Sequence, residues 1–343
     1  MILATATVCT CQWTLRACKT WRALLLVQGF GVGIPLGVLY AVGTLCLGSH
    51  FKNNQPLSSM MSVSAGLAGA MVYTAVALAC LGHSQGGLQT AYVFNAIISS
   101  CTLSVACVLF RRSNTYRILK SPRPPRGRRN PFSESGTILF FLGYLFLFAG
   151  LFIYPLYSVL LISSYPSHTF PTEPTKALLG TYGVAMLAAP FSANGYLRTT
   201  LGPVNSLIAA TVVAAACLIA PAWIPYLGIA LPFNIVYGVA LGAVLSLHTK
   251  ALSVFHWSRW SYHDDMAGRA GVVQAVAGLF VAAGVVWTAW VVDHTGMRGR
   301  WALRNCELGF GVAMSIGAVT MLVGAVFMAL GRWRRCPRFF VVI

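Results

Sequence analysis

Residues 137–162 read TILFFLGYLFLFAGLFIYPLYSVLLI. Twenty-six residues pass without one charge. A helix of about 20 apolar residues crosses a bilayer, so this run is long enough with some to spare. In hydrocarbon no water satisfies the peptide groups. A spanning segment must therefore bond its own backbone, and that makes it a helix.

The same test works outward in both directions. Charge-free intervals give Ala23–Leu47, Leu57–Leu81 and Leu88–Phe110 before this run, with Gly82–Gly87 breaking the last two apart. After it come 177–197, two spans within 199–249 split at Pro221–Pro225, then 270–292 and 308–331. The expected fold class is an all-α membrane protein with about nine transmembrane helices. Met1–Leu15 is apolar but too short to cross alone. It has no leading basic residue and no clear small-residue cleavage site, so it is not read as a signal peptide. Composition agrees. The 343 residues are 57% hydrophobic and 9% charged, against roughly 25% charged in soluble domains. A soluble enzyme, a disordered chain and a disulfide-stapled secreted domain are excluded.

The net charge of +18 comes from 24 Lys and Arg against 6 Asp and Glu. The basic residues lie between apolar runs, where they set orientation rather than bind nucleic acid. Seventeen fall on one side, among them eight between Arg111 and Arg129, and seven on the other. The richer side is expected in the cytoplasm, with the C-terminus. The Pro- and Arg-rich stretch 111–134 divides the chain. It gives residues 1–110 as a three-span N-terminal bundle and 111–134 as a basic cytoplasmic linker. Residues 135–331 follow as a six-helix bundle, and 332–343 as a basic cytoplasmic tail. Gly29, Gly33 and Gly37 in the first bundle, and Gly238 and Gly242 in the second, recur every four residues. Glycines at that spacing share a helix face and admit a close neighbour.

Within the spans, polar side chains are few: Gln28, Asn95, Tyr154, Asn194, Asn234, Tyr237 and Gln274. A polar group in hydrocarbon is a functional candidate, because leaving it unpaired is costly. These residues suit a cavity that hydrogen-bonds a polar, neutral ligand. Helix-to-helix hydrogen bonding is the plain alternative. Arg269, at the start of a span, either meets an anionic ligand or anchors the helix at the interface. His248 reads as an exposed group near a helix end. His263-Asp264-Asp265 reads as solvated loop charge, with no convergent metal ligands. Most of the ten cysteines sit in apolar runs and read as packing residues. Tryptophans near span ends, including Trp223, Trp287, Trp290 and Trp333, read as an interfacial belt. No nucleophile elbow, phosphate-cradling loop or catalytic carboxylate pair is present. The chain is therefore not expected to be an enzyme, and no cofactor or metal is expected.

Several stretches resemble the major facilitator superfamily, in its monocarboxylate-porter branch as found in filamentous fungi. They are Leu26-Val27-Gln28-Gly29-Phe30-Gly31-Val32-Gly33, Ser64-Ala65-Gly66, Asn130-Pro131-Phe132 and Gly195-Tyr196-Leu197. Leu201-Gly202-Pro203-Val204-Asn205 and Gly268-Arg269-Ala270-Gly271 continue the series. The resemblance implies two helical bundles, here lacking the first two to three transmembrane helices of the family. It implies alternating access and transport of a small organic acid or secondary metabolite, with proton co-transport, at the plasma membrane. Partners would be the lipid bilayer and a small-molecule substrate, with no nucleic acid. Gln28, Asn95, Tyr154, Asn194, Asn234, Gln274 and Arg269 are the substrate-path candidates. Gly195, Arg198, Gly202 and Pro203 are what remains of the family's gate motif, with Thr199 and Thr200 in place of its acid and base. Phe191 stands where relatives often place an arginine. The second reading is a truncated or remnant membrane protein that scaffolds partners without transporting.

Overall fold

Peptide groups that cannot reach water bond along the chain, and the described residues of the apolar runs are helical apart from a break at Phe152. A computed structural model of the chain describes residues 1–18, 20–50, 55–81, 87–109, 136–163, 173–194, 201–223, 227–256, 263–296 and 302–335. Among them there is no strand. Among the described residues eight helical stretches, one of them Thr137–Ser158, are long and apolar enough to cross a membrane. The ninth expected span, 177–197, falls on a 22-residue helix made less apolar by Thr181, Tyr182, Pro190 and Asn194. Packing divides the chain into two units: Met1–Ser58 with Ala68–Lys120, and Ser59–Leu67 with Ser121–Ile343.

The first unit opens with α1 (Ile2–Thr14), which the sequence reading left without a role. It docks antiparallel on α5 (Gly87–Leu109). The Thr5 hydroxyl lies 3.2 Å from Cys107 Sγ, and Trp13 Nε1 donates to Ser100 Oγ at 3.3 Å. Next come the short α2 (Trp21–Leu24), a π-helix over Leu25–Val32 and α3 (Gly33–His50). At Gly31 a methyl group would lie 2.8 Å from Cys11 Sγ, so α1 closes on the π-helix there. Gly33 and Gly37 have no atom within 4 Å of an added Cβ. Their close-packing reading is not met inside this unit. The helix α4 (Gln55–Leu81) follows.

The second unit holds α6 (Thr137–Leu151), α7 (Ile153–Ser163), α8 (Glu173–Asn194), α9 (Gly202–Trp223), α10 (Leu227–His256), α11 (His263–Gly296) and α12 (Ala302–Arg335). Glycine decides how these helices meet. Gly136, Gly143 and Gly150 recur every seven residues at the start of and along α6, and Gly317, Gly324 and Gly331 do the same along α12. A Cβ on Gly143 would sit 2.5 Å from the Gly324 carbonyl oxygen, and one on Gly324 would sit 2.7 Å from that of Gly143. Gly136 and Gly331 meet in the same way; a Cβ on Gly150 would sit 2.6 Å from the Gly317 carbonyl oxygen, whereas one on Gly317 would meet the Ile153 side chain. The two helices run antiparallel, backbone against backbone, over this whole length. Gly238 and Gly242 bring α10 onto the Thr181 and Ala185 carbonyls of α8, as their spacing predicted. Gly284 of α11 meets the Ala149 carbonyl of α6. Close approach of this kind maximises dispersion contact, which drives helix association where lipid is as apolar as leucine. Gly136 (φ +84°) and Gly202 (φ +79°) adopt left-handed backbone at the starts of α6 and α9, where a Cβ would be strained.

Candidate functional site

The run that opened the sequence reading is two helices, not one. α6 stops at Leu151 and α7 starts at Ile153. The cause lies four residues past the stop. Pro155 has no N–H, so the Leu151 carbonyl loses the partner an α-helix would give it. The Tyr237 hydroxyl, from α10, donates to that carbonyl instead. Beside it the Tyr154 hydroxyl donates to Asn234 Oδ1. The Tyr154 and Tyr237 rings lie 4.5 Å apart, tilted by 42°. All three side chains are buried: Tyr154 is 1% exposed, Asn234 3% and Tyr237 0%.

Asn234 is left half satisfied. Its Oδ1 accepts from Tyr154, which turns Nδ2 the other way. Nδ2 is buried with no hydrogen-bond partner among the described residues. An unpaired buried amide costs about 1–3 kcal/mol. The helices that carry the three side chains hold no charge close along the chain. The sequence has no Asp, Glu, Lys, Arg or His from Thr137 to Ser163, nor from Leu227 to Leu247. The nearest along α10 is His248, fourteen residues on and about 21 Å away by helix rise. α7 itself is tied to α11 by Tyr157, whose hydroxyl donates to the Val285 carbonyl at 3.0 Å. Pro190 lies inside α8, which runs on through it, and leaves the Met186 carbonyl without its helical N–H. Ser64, in the stretch that groups with this unit, donates to the freed Met186 carbonyl at 3.4 Å.

The other candidates fall elsewhere. Asn95 lies in the first unit, near the Tyr73–Ser99 hydroxyl pair, with its Oδ1 buried and unpartnered among the described residues. Gln28 is on the π-helix and exposed, and Gln274 is half-buried on α11. Asn194 ends α8 and Arg269 lies in α11, but neither side chain is among those described. Among the described side chains, Tyr154 and Asn234 are the path candidates brought together. Gly195 and Arg198 of the gate remnant, and the 111–134 linker, lie outside the described residues. Gly202 and Pro203 open α9, glycine for its left-handed φ and proline in the first turn, where no N–H is needed.

Two expectations are corrected. His248 is buried, not exposed. It sits with Tyr144 and Phe148 at ring-centroid distances of 6.3 and 5.6 Å, its Nδ1 2.7 Å from the Leu245 carbonyl oxygen. α10 continues two turns past it, so it never reaches the helix end. The basic tail expected from 332 begins inside a helix. α12 runs to Arg335, and Arg332 is 1% exposed. Arg332 Nε donates to Asn205 Oδ1 at 2.9 Å, and Asn205 Nδ2 donates to the Leu201 carbonyl at 2.8 Å. Arg335 donates to the Phe255 carbonyl at 3.2 Å, satisfying an acceptor that the end of α10 leaves open. Its guanidinium also covers the Phe255 ring at 5.2 Å. Basic side chains suit this place, since a helix C-terminus carries partial negative charge. Neither link is visible in one dimension. The seven-residue recurrence of glycine on 136–150 and 317–331 lies in the sequence and was missed; it is the signal that could have found the α6–α12 contact.

No protein-family model matches the chain. In sequence it is 27% identical over 211 residues to the MFS-type transporter dbaD of Emericella nidulans. The match covers 60% of this chain and 44% of that protein, so the chain spans less than half the length of this curated relative. In structure it is similar to the human organic anion transporter MFSD10 (TETRAN), with a TM-score of 0.53 and 17% identity. That likeness covers 94% of this chain and 76% of the other. The all-helical fold is similar to that of MFSD10. The chain is a multi-pass helical protein similar in sequence to an MFS-type transporter.

Proposed function

We propose that this chain is a secondary carrier that moves a small organic acid of monocarboxylate type, or a related secondary metabolite, by alternating access. The observation that carries the proposal is the Tyr154–Asn234 pair. It is a buried polar group on a proline break, in a transporter fold, with half of one amide unused. Polar groups that only hold helices together are expected to be fully paired. The similarity to dbaD supports the carrier class and the metabolite reading. Proton co-transport, a plasma-membrane location and a cytoplasmic C-terminus belong to the same proposal, the last resting on the seventeen-to-seven split of basic residues. The 135–331 bundle is then the substrate half.

The test is solute uptake into vesicles that contain the purified chain, with empty vesicles as the baseline. Saturable uptake of a monocarboxylate or an aromatic acid supports the proposal. A folded, inserted chain that moves none of a broad panel of acids and neutral metabolites refutes it. That result leaves the scaffold reading.

A further inference from the structure

We infer that Tyr73, Asn95 and Ser99 of the first unit form a second polar site, which binds the hydroxyl group of an uncharged, lipid-soluble alcohol. The inference does not depend on the carrier reading. The hydrogens decide the chemistry. Ser99 has one O–H, and it donates to the Asn95 backbone carbonyl at 2.7 Å. The 2.9 Å contact between Ser99 Oγ and the Tyr73 hydroxyl therefore uses the tyrosine proton. Both hydroxyl protons are then spent inside the cluster. What remains is acceptor capacity: a lone pair on the Tyr73 oxygen, and Asn95 Oδ1, which is buried with no partner among the described residues. A buried acceptor in want of a donor is costly, so an occupant that donates is favoured there. The one amide donor beside it, Asn95 Nδ2, suits the same occupant, because a hydroxyl both donates and accepts. A carboxylate only accepts, and α4 and α5 hold no Lys, Arg or His to balance one.

The cluster is open where the Tyr154–Asn234 pair is closed. Tyr73 and Asn95 are half-buried, and their chain neighbours Val72 and Phe94 are each 49% exposed. Gly69 and Ala77 stand one turn before and after Tyr73, on the same face of α4. Neither carries a side chain larger than a methyl group, and a Cβ added to Gly69 would meet nothing within 4 Å. There is room beside the tyrosine for an apolar body. Asn95 lies six residues inside the apolar stretch that begins at Gln89, about 9 Å by helix rise. A molecule dissolved in lipid reaches that depth sideways. The shared chemistry is a hydroxyl on a hydrocarbon frame, and a membrane sterol and a free phenolic solute both carry it.

The experiment uses the full chain at fixed detergent concentration, with two matched pairs of probes. Cholesterol is set against its ketone, and octylphenol against its methyl ether. Each pair keeps its hydrocarbon frame and loses only the O–H. Binding is read by titration and by the shift in melting temperature. The comparison protein is Asn95→Leu, which replaces the orphaned amide with an apolar group of similar size. The expected result is that at least one alcohol binds about tenfold or more tighter than its capped partner, the preference that one added hydrogen bond of about 1.4 kcal/mol confers. Asn95→Leu should abolish that preference, while the ligand-free variant melts no lower than wild type. Preference within the cholesterol pair alone assigns the site to a membrane sterol, and within the octylphenol pair alone to a free solute; both results support the inference. Equal or tighter binding of the ketone and the ether overturns it, as does a preference that survives in Asn95→Leu, or failure of all four probes to bind. A ligand-free Asn95→Leu chain that melts lower and sediments as a smaller assembly than wild type also overturns it, since Asn95 then pairs with a second copy of the chain.

Discussion

Alanine at Gly143 should loosen the second unit, and the size of the effect follows from the geometry of the α6–α12 contact. The new Cβ would stand 2.5 Å from the Gly324 carbonyl oxygen and 2.6 Å from the Met328 amide nitrogen. Ordinary contact begins at 3.4 Å. The helices must therefore part by roughly 1 Å at the middle of their interface, and a gap of that size forfeits about a quarter to a half of each local dispersion well. Overpacking of this kind costs about 1–3 kcal/mol. Alanine's higher helix propensity returns about 1 kcal/mol. The net loss is up to about 2 kcal/mol. Gly180→Ala on α8 is the control, because nothing lies within 4 Å of its added Cβ. It should gain up to about 1 kcal/mol. Thermal unfolding in detergent, followed with a thiol-reactive dye, reads the difference; Cys217 is buried in this unit and reports its opening. At about 2–4 °C per kcal/mol the two variants should melt several degrees apart, in opposite directions from wild type. Equal melting of Gly143→Ala and Gly180→Ala would refute the backbone-to-backbone interface.

Three further outcomes are expected. Tyr237→Phe strands the Leu151 carbonyl and should cost about 1–3 kcal/mol. Pro155→Ala returns the missing N–H, so in that background the same change should cost much less, and a double-mutant cycle by thermal melting checks it. Arg332→Met leaves Asn205 Oδ1 without the Arg332 donor and should lower stability by about 1–3 kcal/mol, read by thermal melting. Ser100→Ala removes the acceptor for Trp13 Nε1, and should raise hydrogen exchange in Ile2–Thr14 while leaving Thr137–Leu151 unchanged.

The helices were legible because lipid leaves the backbone one choice, and a run without charge announces it. The run 137–162 shows the limit of that reading. Its length and apolarity foretell a crossing helix, and Pro155 marks a weak point, but the group that repairs the break is a tyrosine eighty-two residues further on. Gly238 and Gly242 were read for close packing and have it. Gly33 and Gly37 carry the same spacing and do not show it within their unit, since a spacing names a face and not a neighbour. Arg332 was assigned to a tail by its charge. Asn205 lies 127 residues earlier in the chain and holds it inside the bundle, and no local pattern reports such a pair. Among the path candidates, Tyr154 and Asn234 were both named from depth alone, but their meeting is a fact of the fold.

The central claim is that a solute passes through this chain by way of Tyr154 and Asn234. Uptake of a protonatable aromatic acid into vesicles holding either the wild-type chain or the Tyr154→Phe, Asn234→Leu double variant tests it most directly. Saturable uptake by the wild type, and uptake by the double variant no faster than in empty vesicles, is the predicted result. Matching saturable uptake by the two proteins would contradict it.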